Sequence, residues 1–160
     1  MSRRLPPADF YRAEGYLADE SVGYMMKHVM SSFVQSIDKE LCPHGLTHVQ
    51  WGPLFMMKKG RASTVAELAR ECNLDAGSMT RLLDRLEAKG LCKRVRSTED
   101  RRVVNLALTP AGEKAAAMVP EALSKVMNAH LAGFSKAEWQ ALKGYLRRML
   151  ENGEALRETS

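Results

Sequence analysis

Between Thr64 and Thr109 the chain reads TVAELARECNLDAGSMTRLLDRLEAKGLCKRVRSTEDRRVVNLALT, a run in which helix punctuation and apolar spacing leave room for little besides two short helices and a hairpin. Thr64 and Glu67 form a T-x-x-E capping box, which supplies partners for the orphan amides of a helix start. Val65, Leu68, Ala69 and Cys72 then fall at i, i+3, i+4 and i+7, one apolar face of a short helix. Asn73 tolerates the left-handed conformation of a tight turn and is expected to end that helix. Leu74 is expected to tuck into the core and Asp75 to cap the next helix. The second helix, from about residue 76 to 89, points Met79, Leu82, Leu83 and Leu86 inward. Ser78, Thr80, Arg81, Asp84 and Arg85 stay on its open side, and Gly90 stops it. Hydroxyls and arginines near a helix N-terminus suit a major groove, where Arg forks onto guanine and Ser or Thr reaches phosphates or base edges. The alternative is a plain solvated face.

The following segment favours the groove. Residues 91–96 and 103–108 carry strand-like residues on either side of a polar tip, Ser97 to Arg102. From Arg81 to Arg102 there are eight basic and four acidic residues, whereas the remainder holds 16 basic against 15 acidic. Nearly all of the +5 net charge therefore sits in one module. Concentrated positive charge is the footprint of phosphate binding through counterion release. The carboxylates in it read as helix-face partners of neighbouring bases, Asp84 with Arg85 and Glu87 with Lys89.

The rest of the chain reads as helix. From Ser21 to Leu41, Val22, Met25, Met26, Val29, Met30, Phe33 and Ile37 keep helical spacing until Cys42-Pro43-His44-Gly45 breaks the run. Thr47 and Gln50 form a second capping box, predicting a helix that carries Trp51, Leu54, Phe55 and Met57 to Gly60. Thr109-Pro110 opens another, expected to reach Gly133, with Ala115, Met118, Val119, Leu123, Val126 and Met127 as its stripe and a kink at Pro120. Ser135 and Glu138 box the start of a last helix bearing Trp139, Leu142, Tyr145, Leu146, Met149 and Leu150.

Several function classes drop away. No run of about 18 apolar residues and no signal-peptide pattern occurs, so no membrane partner is expected and the expected location is cytoplasmic. Cys42, Cys72 and Cys92 are an odd number at wide spacing, which argues against a disulfide framework or zinc ribbon, and Cys72 and Cys92 read as small core residues. Cys42, His44 and His48 have ligand-like spacing, but no second cysteine-histidine cluster completes a metal site, and no cofactor is expected. No phosphate loop, nucleophile elbow or H-E-x-x-H appears, so no catalytic residue is assigned and the chain does not read as an enzyme. Aromatics make up only 6% and are not interleaved with the basic patch, which favours duplex DNA over single strands.

The fold class expected is mainly α with a small β wing, a winged helix-turn-helix flanked by N- and C-terminal dimerisation helices. Residues 46–109 form the DNA-binding domain, 20–45 and 110–160 the helical dimerisation region, and 1–19 an N-terminal extension. The extension, with Phe10, Tyr11 and Tyr16, has three roles open to it: a pocket cover, a longer dimer interface or a loose arm. Long amphipathic helices at both ends of so small a module cannot all bury their stripes in one protomer, which predicts a homodimer. Two recognition helices would then sit about one DNA turn apart on a palindromic operator.

In order along the chain, Leu46-Thr47-x-x-Gln50-Trp51, Leu68-Ala69, the run Met79 to Glu87 with Lys89-Gly90-Leu91, Asp100-Arg101-Arg102 and Leu106-x-Leu108-Thr109-x-x-Gly112 resemble the MarR family of bacterial transcriptional regulators. The resemblance spans residues 20 to 152. It implies a dimeric repressor whose wing-tip arginine enters the minor groove. Arg102 is the third residue of the wing's D-x-R motif, Asp100 orients it, and Arg101 competes for the role. Ser78, Thr80, Arg81 and Arg85 match positions that touch the major groove or its phosphates. It also implies an effector, a small phenolic or aromatic carboxylate compound bound where the dimer helices meet the DNA-binding lobe. Here Tyr24, His28 and Ser32, at i, i+4 and i+8, with Trp51 and Phe55, are the expected lining. Trp51 and Phe55 also suit a core, and His28 a surface or hydrogen-bonded filler. Three alternatives remain: oxidant sensing, metal sensing, and a constitutive DNA-binding protein without an inducer.

Overall fold

The structure, a computed structural model, describes residues 6–97 and 104–157. Six helices and a hairpin follow one another: α1 Val22–Leu41, α2 Trp51–Lys58, α3 Val65–Glu71, α4 Ala76–Ala88, β1 Cys92–Arg96, β2 Val104–Leu108, α5 Pro110–His130 and α6 Lys136–Arg157. Short 3-10 turns at Ala18–Glu20 and Cys42–His44 flank α1.

Local chemistry sets most of these boundaries. The Thr64–Glu67 box closes in both directions, with Glu67 N–H donating to Thr64 Oγ1 at 3.3 Å and Thr64 N–H to Glu67 Oε2 at 3.1 Å. Asn73 takes the left-handed conformation, φ 52°. Leu74 differs from expectation. Its backbone N–H closes α3 by donating to the Ala69 carbonyl at 2.8 Å, but its side chain is 40% exposed, while Leu68 and Met79 on the flanking helices are fully buried. Ser135 and Glu138 also close their box reciprocally, at 2.8 and 3.2 Å.

The Thr47–Gln50 pair behaves otherwise. Thr47 N–H reaches Gln50 Oε1 at 3.3 Å, but residues 48–50 form a turn and α2 opens only at Trp51. Starting there puts Pro53 in the first turn, where its missing N–H leaves no intrahelical bond unmade. At the other end α5 runs through Pro120 but stops at His130, short of Gly133.

The core lies among α2, α3, α4, the base of the hairpin and α5, closed by the C-terminal end of α1. Leu41, Leu46, Leu54, Leu68, Met79, Leu83, Leu86 and Val119 are fully buried in it. Cys92 joins this core as expected, and Cys72 is half-buried; burial pushes both thiols up. By contrast the first half of α1 leaves Val22, Met25, Met26, Val29 and Met30 exposed, and α6 buries no residue.

Candidate nucleic-acid interface

Helix α4 is held by one face only. Met79, Leu82, Leu83 and Leu86 are buried, as their spacing predicts, and the opposite face carries Ala76, Gly77, Thr80, Arg81, Asp84 and Arg85 to the surface. Asp75 caps the helix by accepting from Ser78 N–H at 2.8 Å, and the hydrogen bonds from Ser78 hold its carboxyl below the ordinary range. Thr80 donates its hydroxyl to the Ala76 carbonyl at 2.8 Å, which leaves its oxygen free to accept. Arg81 Nη2 donates to Ser78 Oγ at 3.1 Å, so these two predicted contacts are joined before any DNA arrives. The four predicted α4 residues thus lie on one accessible flank.

The hairpin stands beside this flank. Its strands pair antiparallel with Cys92 opposite Leu108, Arg94 opposite Leu106 and Arg96 opposite Val104. Alternation puts Cys92, Arg94 and Arg96 on the inward side and Lys93 and Val95 on the outward side. Arg94 consequently meets α4. Its Nη2 lies 2.6 Å from Asp84 Oδ1, its Nη1 binds Glu87 Oε2, and its backbone N–H donates to Glu87 Oε1 at 3.1 Å. Asp84 first, with Glu87 behind it, holds the guanidinium more firmly charged than usual.

This corrects two expected pairings. Asp84 does not pair with Arg85, nor Glu87 with Lys89, since neighbours one or two apart on a helix do not face each other. Lys89 instead donates to the Gly45 carbonyl at 2.7 Å and Gln50 Oε1 at 2.9 Å, fastening the end of α4 to the turn before α2. Lys89 and Arg94 are therefore tied to other elements of the fold. Among the described residues, Arg85, Lys93 and Arg96 are exposed and make no ion pair. Asp100, Arg101 and Arg102, the predicted wing-tip residues, lie outside the described residues.

The hairpin base is fixed by a joint that only small residues permit. Thr109 N–H donates to the Leu91 carbonyl at 3.1 Å, and Thr109 Oγ1 both donates to the Gly90 carbonyl at 2.5 Å and accepts from Gly112 N–H at 3.1 Å. A Cβ on Gly112 would overlap the Leu91 carbonyl oxygen. Leu106 N–H donates to the Ser63 carbonyl at 2.7 Å, tying β2 to the approach of α3.

The five residues expected to line an effector pocket fall into three groups. Tyr24 and His28 stack on α1 with ring centroids 4.2 Å apart. Ser32 contacts His130 of α5, Oγ to Nε2 at 2.8 Å. His130 Nδ1 lies 2.8 Å from the Val126 carbonyl, which can only accept, so that nitrogen donates to it. Trp51 and Phe55 meet edge to face at 6.4 Å on α2. A cavity of about 320 Å³ is lined by Phe10 to Arg12, Glu14 to Leu17 and Glu20, and one of about 240 Å³ by Glu40, His44, Met118, Glu121, Ala122 and Lys125. Neither includes any of the five.

Metal-like spacing at Cys42, His44 and His48 does not gather ligands. His48 turns to Asp38 instead, Nδ1 to Oδ2 at 2.8 Å with its N–H on Oδ1 at 2.6 Å, and no group of three ligand-type side chains forms among the described residues. No described helix is long and apolar enough to cross a membrane. Sequence reading missed the Arg94 pairs, the Lys89 tie and the Ser32–His130 contact. Strand alternation marks Arg94 as inward-facing; nothing local marks the other two.

A family model described as the MarR family matches residues 46–104, the stretch from the turn before α2 into the hairpin. The HTH-type transcriptional regulator BilQ of Clostridioides difficile is 27% identical over 123 residues, 77% of this chain and 83% of that protein. The HTH-type transcriptional repressor MdtR of Bacillus subtilis is 31% identical over 93 residues, 58% of this chain and 57% of that protein. The solved structure of BpsR from Bordetella bronchiseptica superposes with a TM-score of 0.74 at 21% identity, covering 84% of this chain and 96% of that one. A recognition helix open on one face and a hairpin fastened beside it thus lie within the stretch that matches the MarR family, and the curated relatives this chain resembles are named as HTH-type transcriptional regulators.

Proposed function

We propose that the chain is a homodimeric repressor that holds a palindromic operator and releases it when a small phenolic or aromatic carboxylate compound binds. The observation that carries the DNA-binding half is the open flank of α4, with Ser78, Thr80, Arg81 and Arg85 beside a basic hairpin. Ser78, Thr80, Arg81 and Arg85 enter the major groove in this reading, and Asp100, Arg101 and Arg102 serve the minor groove, whose negative potential attracts arginine. Residues 46–109 bind DNA, while residues 20–45 and 110–160 pair two copies. The exposed stripe of α1 and the unburied α6 support that pairing. Such a protein works where the chromosome is, in the cytoplasm.

For the effector, Tyr24, His28, Ser32, Trp51 and Phe55 remain the proposed contacts. They support an aromatic acid by combining the rings of Tyr24, His28, Trp51 and Phe55 with the hydroxyls of Tyr24 and Ser32. BpsR, a protein of the same fold, has its DNA binding regulated by 6-hydroxynicotinic acid. The test is an anisotropy titration of duplex from upstream of the protein's own gene, repeated across phenolic and benzoate-type acids. Tight, sequence-preferring binding that one acid releases is the expected result. Binding no tighter than to random duplex overturns the operator reading, and tight binding that no acid disturbs overturns the effector reading alone.

A further inference from the structure

We infer that Arg94 is a positioning residue for DNA recognition, clamping strand β1 to helix α4 through Asp84 and Glu87 rather than touching DNA itself. The inference rests on the DNA-binding reading above and adds to it an account of what fixes the angle between recognition helix and wing. Three features carry it. Arg94 lies on the inward side of β1, in register with buried Leu106. Its two carboxylate partners occupy α4 three residues apart, one turn, so the guanidinium fork spans a single helix face. Glu87 also accepts the Arg94 backbone N–H at 3.1 Å, so strand and side chain are held by the same group.

The geometry has an electrostatic side. Asp84 sits on the exposed face of α4 next to Arg85, where a free carboxylate would repel DNA phosphates. Paired with Arg94 it is compensated. Among the described residues, the hairpin is also tied at its base, Thr109 to Gly90 and Leu91, and at the level of Arg94 through Leu106 to Ser63, which leads into α3 and not to α4. Arg94 is the ion-paired side chain that, among the described residues, links β1 to α4.

The experiment compares full-length Arg94→Gln, Arg94→Lys, Asp84→Asn and Lys93→Gln with the unaltered protein, titrating operator duplex across a salt series. A residue on a phosphate contributes about one unit to the slope of log affinity against log salt. Lys93, outward-facing and unpaired, should lose about that much slope on substitution. Arg94→Gln and Arg94→Lys should both weaken operator binding about tenfold or more with the slope unchanged, because lysine keeps the charge but not the fork. Asp84→Asn should also weaken binding. In the DNA-free proteins, amide exchange of β1 should quicken in both Arg94 variants, a readout that stands even if no operator is found. A slope reduced by about one in Arg94→Gln, with Arg94→Lys unaffected and Asp84→Asn binding as tightly or more so, would make Arg94 a phosphate contact. Unchanged affinity in Arg94→Gln, or unchanged amide exchange, overturns the clamp.

Discussion

Gly112 is the residue at which the architecture has least tolerance. It lies in the first turn of α5 against the Leu91 carbonyl, where any Cβ overlaps the oxygen and Leu108 Cδ2 stands 3.3 Å away. Backbone on one side and core on the other prevent easy relief. Gly112→Ala should therefore destabilise the fold by about 1–3 kcal/mol or more, the usual range for forced overpacking, and a thermal melt measures it. At the helix starts, Glu67 is held below the ordinary carboxylate range by the Ser63 and Thr64 amides, Asp75 by hydrogen bonds from Ser78, and Glu138 by the Ser135 amide. A pKa lowered by folding means stability that is complete above the unfolded value and lost as pH falls through the folded one. The melting temperature should thus lose this contribution below about pH 4, the carboxylate range. Asp75→Asn caps as well without titrating. Its acid loss should be smaller than that of the unaltered chain, and an equal loss would show that the Asp75 cap contributes nothing to it.

At the scale of the element, what sequence reveals is what nearest neighbours decide. The limits of α3 and α4, the left-handed Asn73 and the inward set of α4 follow from capping boxes and a 3.6-residue period, which act within one or two turns. Leu74 and the start of α2 depart from that pattern: Leu74 gives the turn its backbone N–H but not its side chain, and α2 opens only at Trp51, which sets Pro53 in its first turn. The candidate site divides the same way. Ser78, Thr80, Arg81 and Arg85 were legible from helix periodicity, whereas the fates of Lys89 and Arg94 depended on partners 44 and 39 residues away in one case and 10 and 7 in the other. Within α4, the Ser78–Arg81 hydrogen bond gives a further prediction. If Arg81 reads a base, Arg81→Ala should cost about 1–3 kcal/mol of operator affinity and relax preference at one base pair while random-duplex binding changes little. A uniform loss over all sequences, seen in parallel titrations, would reassign Arg81 to a phosphate.

For the whole molecule, the decisive fact is that the apolar stripes of α1 and α6 have too little of their own chain to cover. Met25, Val29 and Met30 are each about half exposed, Tyr145 is 58% and Leu150 66% exposed, and α6 contributes no buried residue although it runs from Lys136 to Arg157. Surfaces of this kind on a water-facing protomer are stabilised by burial at about 25 cal/mol per Å² against another apolar surface, which in the proposed homodimer is a second copy. A charge placed in the stripe tests this. Met26→Lys or Leu150→Asp should leave the core of α2 to α5 intact, because neither residue belongs to it, while shifting sedimentation from dimer to monomer and making the melting temperature less dependent on protein concentration. Operator binding should fall much more steeply than the loss of any single DNA contact would cause. One recognition helix would then have to hold DNA without the second, a turn away, that makes the two half-sites a single target. A charged variant that stays dimeric and binds as before would place the partner copy on another face, and a monomeric variant with full affinity would remove twofold symmetry from the account of operator recognition.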